Sequence, residues 1–352
     1  MEQSNPAKNS EKGPENRAFS FREALGVLLE SFPKRSQEIV AERYGLRGEE
    51  EKTLEEIGDD FRITRERVRQ IIREAIRKIK EKSENPLLNE AKEKIAFTIQ
   101  GKSGIIKEEE LYQILASGRQ GEEGAIGFFI ELSDQVRKEK IPGEMASAFL
   151  LENFKLEEWR KIKNSAQEIL KSESELLERK ELLEKMSGAE NISAKKLFDY
   201  LAVSEEIKEN KFGKWGLAES EEVTPKGTRE KAYLVLKEYG KPVHFREISA
   251  LIDKFNLNKK KTNPQTVHNE LIKDERFVLV GRGIYALKEW GYQEGTVKDI
   301  LENILREKEE PMKKEEILKR LMKMRQVKKS TIVINLNNFF TRVGKDAYTI
   351  KK

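Results

Sequence analysis

Between residues 62 and 82 the chain carries nine basic side chains, Arg62, Arg65, Arg67, Arg69, Arg73, Arg77, Lys78, Lys80 and Lys82, against three acidic ones, Glu66, Glu74 and Glu81. Cations at that density suit phosphate neutralisation, and arginine can also donate two hydrogen bonds to a base edge. The preceding stretch, residues 42–60, has the opposite sign, with eight acidic and three basic residues. An acidic element abutting a basic one is an organised pattern. Charge alone describes equally well a solvated helix laced with intrahelical ion pairs.

Other chemistries find little material. The 352 residues contain no cysteine, which excludes disulfides, thiol catalysis and Cys-based zinc fingers. The two histidines, His244 and His268, have no second candidate ligand near them in sequence and read as structural. No metal, no cofactor and no enzymatic activity are expected. Charged residues make up 37% of the chain and mean hydropathy is −0.72, so apolar runs such as residues 125–130 fall far short of a bilayer span. Residues 1–18 are polar, include Pro6 and Pro14, and lack the apolar core of a secretory signal. They are expected to form a disordered tail on a cytoplasmic protein with no membrane partner. The net charge of +5 says almost nothing about partners; its local distribution says more.

The elements that must carry these cations follow from periodicity. Val68, Ile71, Ile72, Ala75, Ile76 and Ile79 recur at three- and four-residue spacing behind a Thr64 cap, which predicts one basic helix with arginines on its remaining faces. Thr53-Leu54-Glu55-Glu56 is a capping-box pattern and predicts a short helix from Leu54 with Leu54, Ile57 and Phe61 on its apolar face. Gly58 and Asp59-Asp60 loosen the chain before the basic helix begins. Two helices joined by a tight turn, the second strongly basic, make a helix-turn-helix. Upstream, residues 21–29 and 39–44 supply two more apolar helical faces, separated by Ser31-Phe32-Pro33, so a four-helix unit is expected.

The residues in order are Arg43-Tyr44-Gly45-Leu46, Thr53-Leu54-Glu55-Glu56-Ile57-Gly58, Ile63-Thr64-Arg65-Glu66-Arg67-Val68-Arg69-Gln70-Ile71 and Ala75-Ile76-Arg77-Lys78-Ile79. This pattern closely resembles region four of bacterial primary sigma factors, which reads the promoter −35 element and touches the flap of the RNA polymerase beta subunit. The resemblance covers residues 19–82, about a fifth of the chain. It implies that Arg65, Glu66, Arg69 and Gln70 read bases, and that Thr64, Arg73, Arg77, Lys78 and Lys80 hold phosphates. The chemistry agrees, since arginine pairs with guanine, glutamate accepts from cytosine and glutamine pairs with adenine. The partners implied are double-stranded promoter DNA and the RNA polymerase core through its beta flap. Ile72 stands where that family usually carries an acidic residue. Only eighteen residues precede Phe19, so the aromatic-rich sigma region two, which melts the −10 element, is expected to be lacking. Modulation of initiation without promoter melting is the resulting expectation.

The remainder repeats itself. Leu236-Lys237, Pro242-Val243, Glu247-Ile248, Ile252, Thr266-Val267 and Leu271 align with Leu305-Arg306, Pro311-Met312, Glu316-Ile317, Leu321, Thr331-Ile332 and Leu336. Both copies end alike, Val280-Gly281, Tyr285 and Leu287 matching Val343-Gly344, Tyr348 and Ile350. Each copy reads as a helix, a Pro-led extended start, two helices and a hairpin turning at Gly. That is the order of a winged helix, whose third helix is the usual DNA reader. Ile106, Glu110, Leu111 and Leu115, and again Ile192, Lys196, Leu197 and Leu201, echo the spacing. The segments 233–248 and 281–287, ending Gly-Arg-Gly-Ile-Tyr-Ala-Leu, resemble the HARE-type helix-turn-helix domain, found in the delta subunit of bacterial RNA polymerase, in chromatin factors and beside restriction nucleases. That resemblance implies a module used near DNA or polymerase.

The expected fold is therefore mainly α and multidomain. A region-four-like unit spans 19–84, a candidate degenerate winged helix 91–155, a long helix 156–186 and a candidate partial winged helix 190–218. A HARE-type winged helix spans 228–292 and a second full copy 296–352. Lys259, Lys260, Lys261, Lys328 and Lys329 lead into the predicted third helices and are candidates for secondary DNA contact; Trp159, Trp215 and Trp290 read as core or hinge anchors. The function this favours is a sequence-specific, sigma-like DNA-binding transcription factor working with RNA polymerase. A polymerase-bound adaptor is the alternative. A nuclease-associated DNA-binding protein is a further reading, but no stretch clusters the carboxylates and lysine that divalent-metal chemistry needs.

Overall fold

A computed structural model describes residues 19–82, 84–189, 192–308, 310–325 and 327–351. The tail expected over 1–18 lies outside the described residues. Among those described, sixteen α-helices and twelve short strands alternate, the strands gathered into four three-stranded antiparallel sheets. The chain is mainly α and multidomain.

Four helices open the chain: α1 (Phe21–Leu29), α2 (Lys34–Arg43), α3 (Leu54–Phe61) and α4 (Arg65–Lys80). The capping box of α3 is complete. Thr53 Oγ1 accepts from the Glu56 N–H at 3.3 Å, and the Glu56 carboxylate accepts from the Thr53 N–H at 2.8 Å. Arg62 turns the chain between α3 and α4 in the left-handed region, at φ 52°. Gly58 lets that turn close, because a Cβ there would lie 2.8 Å from the Ile63 carbonyl oxygen.

Beyond α4 one pattern is written four times. The first copy is α5 (Pro86–Gln100), β1 (Ile105–Lys107), α6 (Glu108–Ala116), α7 (Glu122–Leu132), β2 (Val136–Ile141) and β3 (Met145–Leu151). The second is α8 (Leu156–Ser172), β4 (Leu177–Glu178), α9 (Arg179–Ala189), α10 (Ala194–Ala202), β5 (Ile207–Glu209) and β6 (Lys214–Leu217). The third is α11 (Thr228–Tyr239), β7 (Val243–His244), α12 (Phe245–Lys254), α13 (Pro264–Lys273), β8 (Phe277–Gly281) and β9 (Ile284–Leu287). The fourth is α14 (Val297–Lys308), β10 (Met312–Lys313), α15 (Lys314–Met324), α16 (Lys329–Phe339), β11 (Phe340–Val343) and β12 (Ala347–Ile350). In every copy the third strand lies between the first and the second.

The long helix expected over 156–186 is interrupted. After α8 the run Glu173-Ser174-Glu175 leaves the helix and Leu177-Glu178 pairs with Trp215 and Lys214 of β6. Glutamate is a good helix former, so local propensity does not end the helix here; strand pairing of the buried Leu177 overrides it. A carboxylate then restarts the helix, Glu181 accepting from the Glu178 N–H at 2.8 Å.

Two compact units result. One holds the described residues up to Ser165 together with 192–205, the other Ala166–Ala189 and those from Glu206 onward. In the first unit the four opening helices and the first module share a single apolar core, running from Phe21 and Leu25 through Ile57, Val68 and Ile72 to Phe128, Phe129 and Phe149. The residue number 84 marks no break in that core. Its centre is α7, apolar on nearly every side and buried from Gly124 to Leu132 apart from Gly127 and Glu131. The fit is close: a Cβ on Gly124 would lie 1.6 Å from the Tyr44 carbonyl oxygen. Tyr44 in turn donates its hydroxyl to Glu131 at 2.9 Å. Burial, with Glu131 beside it, pushes the phenol well above its usual range and keeps it a donor.

Candidate nucleic-acid interface

The basic helix α4 is organised by which side it buries. Val68, Ile72, Ala75 and Ile79 face the core. Glu66, Gln70, Arg73, Arg77 and Lys80 succeed one another at three- and four-residue steps on the opposite side, with Arg69 three residues after Glu66, and so form one stripe. Arg65 is exposed at its start. Thr64 caps the helix, its Oγ1 accepting from the Arg67 N–H at 3.2 Å, which leaves the hydroxyl hydrogen free to donate outward.

Within the stripe the side chains already hold one another. Arg69 grips Glu66, its Nε donating to Oε2 at 2.6 Å and its Nη2 to the other oxygen, and Gln70 Nε2 donates to Glu66 Oε1 at 3.4 Å. The Arg69 hydrogen bonds keep the Glu66 carboxyl below the usual carboxylate range, so it stays an acceptor. Arg77 pairs with Glu81 at 2.5 Å. Arg65 and Arg73 have no ion pair among the described residues.

One residue expected among the phosphate binders stands apart. Lys78 lies on the flank of α4 facing α2, paired with Glu74 at 2.7 Å and 6.0 Å from the Phe32 ring centroid. There it lines a cavity of about 290 Å³ with Arg35, Ser36 and Arg67. Lys80 is on the stripe, but it reaches out of its helix to Asp134 in the loop between α7 and β2, at 2.8 Å. Sequence reasoning missed this partner, and it missed Glu122. Glu122 is buried, accepts from Ser20 Oγ at 2.6 Å and from the Phe21 N–H at 2.8 Å, and thereby caps α1 from the start of α7. The available signal was the run 124–132, too apolar on all sides for a helix with one face in water.

The lysines of the later modules are displayed differently. Lys259, Lys260 and Lys261 are exposed on a loop stapled at both ends. Thr262 N–H donates to Asp253 at 2.9 Å, Asn258 Nδ2 to Thr262 Oγ1 at 2.7 Å, and Lys231 to Asn258 at 2.5 Å. The loop ends at Asn263 and Pro264, cap and first residue of α13. Lys328 and Lys329 occupy the corresponding start of α16, exposed and without a side-chain cap. His244 caps α12 by accepting from the Arg246 N–H at 3.3 Å, and both it and His268 hold their ring centroids 4.5 Å from that of Phe245 in tilted contact. Among the described residues no group of three or more His, Asp or Glu is placed to hold a metal ion, and no helix is long and apolar enough to cross a membrane.

Two segments of the chain match known domain models. Residues 28–81 match the family model of sigma-70, region 4. Residues 228–290 match a second model, the HARE-HTH domain, a helix-turn-helix type named in part for ASXL and restriction endonuclease. Over 70 residues the chain is 45% identical to RNA polymerase sigma factor SigA of Nostoc sp. and 44% identical to SigA of Synechocystis sp.. Over 65 residues it is 40% identical to RNA polymerase sigma factor sigB of Arabidopsis thaliana. These alignments take in 18 to 20% of this chain and 11 to 18% of the relatives' own lengths. The chain thus joins a segment similar to sigma-70 region 4 to a segment similar to the HARE-HTH domain, both of helix-turn-helix type.

Proposed function

We propose that this protein is a sequence-specific transcription factor that recognises a −35-type promoter element through α4 and modulates initiation in contact with the RNA polymerase core, the beta flap included, without catalysis of its own. The supporting observation is the stripe itself: Glu66, Arg69 and Gln70 at the outward face of the first turns of α4, inside a region-four match. Arg65, Glu66, Arg69 and Gln70 are the proposed base readers. Thr64, Arg73, Arg77 and Lys80 follow the backbone, and Lys78 adds charge from the flank.

The later modules contribute secondary contacts through Lys259, Lys260, Lys261, Lys328 and Lys329. Cations at a helix N-terminus oppose the helix dipole, and a phosphate there relieves both. A protein-binding role for the last module is favoured by α16, which has no charged side chain after Lys329 and exposes Ile334 (57%) and Phe339 (44%).

The test is fluorescence anisotropy of the full chain on a −35-type duplex and on its scrambled counterpart at near-physiological salt. Arg69→Ala is expected to lose roughly ten- to hundredfold on the preferred duplex and to relax choice at one base pair. Equal losses on both duplexes would remove Arg69 from the base readers.

A further inference from the structure

Lys80 ends the outward stripe of α4, and among the described residues it is the stripe member tied to another element. Its partner, Asp134, is a poor candidate for a structural role. The side chain is 83% exposed, and the turn it sits in is shaped by Ser133, whose Oγ accepts from the Gln135 N–H at 3.2 Å. An exposed pair of this kind contributes little to stability. Lys92 of α5, half-buried, is near enough for its charge to act on both groups. Burial lowers the affinity of the Lys92 ammonium for its proton, with Lys80 acting in the same sense and Asp134 opposing both. The Asp134 carboxyl is held below the usual range first by its hydrogen bond to Lys80 and then by Lys92. Asp134 is thus ion-paired with Lys80 at 2.8 Å and feels the charge of Lys92 as well, at the end of a helix whose outward face is proposed above to meet duplex DNA.

We propose that Lys80 and Lys92 form a binding site for a DNA backbone phosphate, and that Asp134 fills it in the free protein as a built-in competitor which the phosphate displaces. The proposal rests on the reading of α4 as a duplex-DNA reader. It extends the contact surface from the helix-turn-helix onto the first winged-helix module, through α5 rather than through the buried α7. The phosphate takes over the ion pair with Lys80, and Asp134 moves into solvent. Because the contact is with the backbone, the competitor weakens binding to every sequence alike.

The experiment is anisotropy of the full-length chain on preferred and scrambled duplexes over a series of salt concentrations. Asp134→Asn is expected to tighten binding to both duplexes by about two- to fivefold, the equilibrium equivalent of an exposed ion pair. Its log affinity is expected to fall more steeply with log salt, by up to about 0.9. Lys92→Gln is expected to weaken both duplexes and flatten the slope. In a Lys80→Ala background the gain from Asp134→Asn should shrink. A gain undiminished there would mean that Asp134 acts only through overall charge, and would overturn the site. So would unchanged affinity and slope in Asp134→Asn while wild-type protein binds DNA, or a lowered melting temperature with weaker binding. Wild-type protein that retains neither duplex would instead overturn the DNA reading, and this site with it.

Discussion

Ile72 is the residue at which the sigma-like pattern is broken, and packing supplies the reason. It is 8% exposed and belongs to the core that α4 shares with α7, where a carboxylate would be buried without a partner. Residue types at the interface were legible for a similar reason: Arg, Glu and Gln at the first turns of a basic helix announce their chemistry without a structure. Their mutual grip was not, because Arg69 to Glu66 is a rotamer choice. Nor was Asp134, 54 positions from Lys80 in sequence. In the HARE-type module a different pair carries a pH signature. Asp274, 9% exposed, accepts from Arg276 Nη2 at 2.7 Å, and that bond keeps its carboxyl below the usual aspartate range. A carboxyl depressed in the folded state stabilises above the ordinary aspartate pKa of about 3.9 and ceases to do so as pH falls through the lower, folded value. Asp274→Asn should therefore melt at a lower temperature than wild type at pH 7, with the difference closing below about pH 4. Calorimetry across that range is the check. A difference still full-sized at pH 2.5 would show that the charge is not what matters.

Among the elements, the third helices of the modules differ in how much of their surface they bury. In α13 and α16 two residues each are buried and the outer face is open. In α7 the equivalent helix has become the middle of a core, so the usual reader of a winged helix is occupied by packing in the first module. The two C-terminal copies were legible because proline starts, glycine turns and strand residues recur in register. The first two were faint because no proline leads into β1 or β4, as Pro242 and Pro311 lead into β7 and β10. A substitution tests the sharing of the core. Gly124→Ala forces a Cβ into the Tyr44 backbone and should cost about 3 kcal/mol or more, with DNA affinity falling although the site lies outside α4. Gly26→Ala, with nothing within 4 Å of its new Cβ, should instead stabilise α1 by about 1 kcal/mol. Thermal unfolding distinguishes them. Equal melting temperatures would mean that α7 does not support the helix-turn-helix as described.

For the molecule as a whole, several basic sites on separate modules predict a salt dependence steeper than the helix-turn-helix alone would give. Replacing Lys259, Lys260 and Lys261 together by Ala should flatten the log–log salt slope by as much as about 2.7, or about 0.9 for each phosphate no longer neutralised. Sequence preference should stay intact. The stapled loop leaves the folding core untouched, so melting should change little. A slope identical to wild type would assign the HARE-type module to a protein partner. Fold class was legible at this scale from composition and repeats. The fusion of the first module with the sigma-like unit was not, since tertiary contacts such as Glu122 with Ser20, 102 positions apart, leave no local mark.

That same buried Glu122 and the α7 it begins set an order of events during synthesis. A ribosome that has released residue 80 has delivered every residue of the reading helix, yet the core beneath it is incomplete until residue 132 emerges. At roughly 5 to 20 residues per second the gap is about 3 to 10 s. Throughout it the apolar faces of α1 and α4 are without their cover, and nascent chains halted at successive lengths should gain protease resistance across the helix-turn-helix only after α7 has cleared the tunnel.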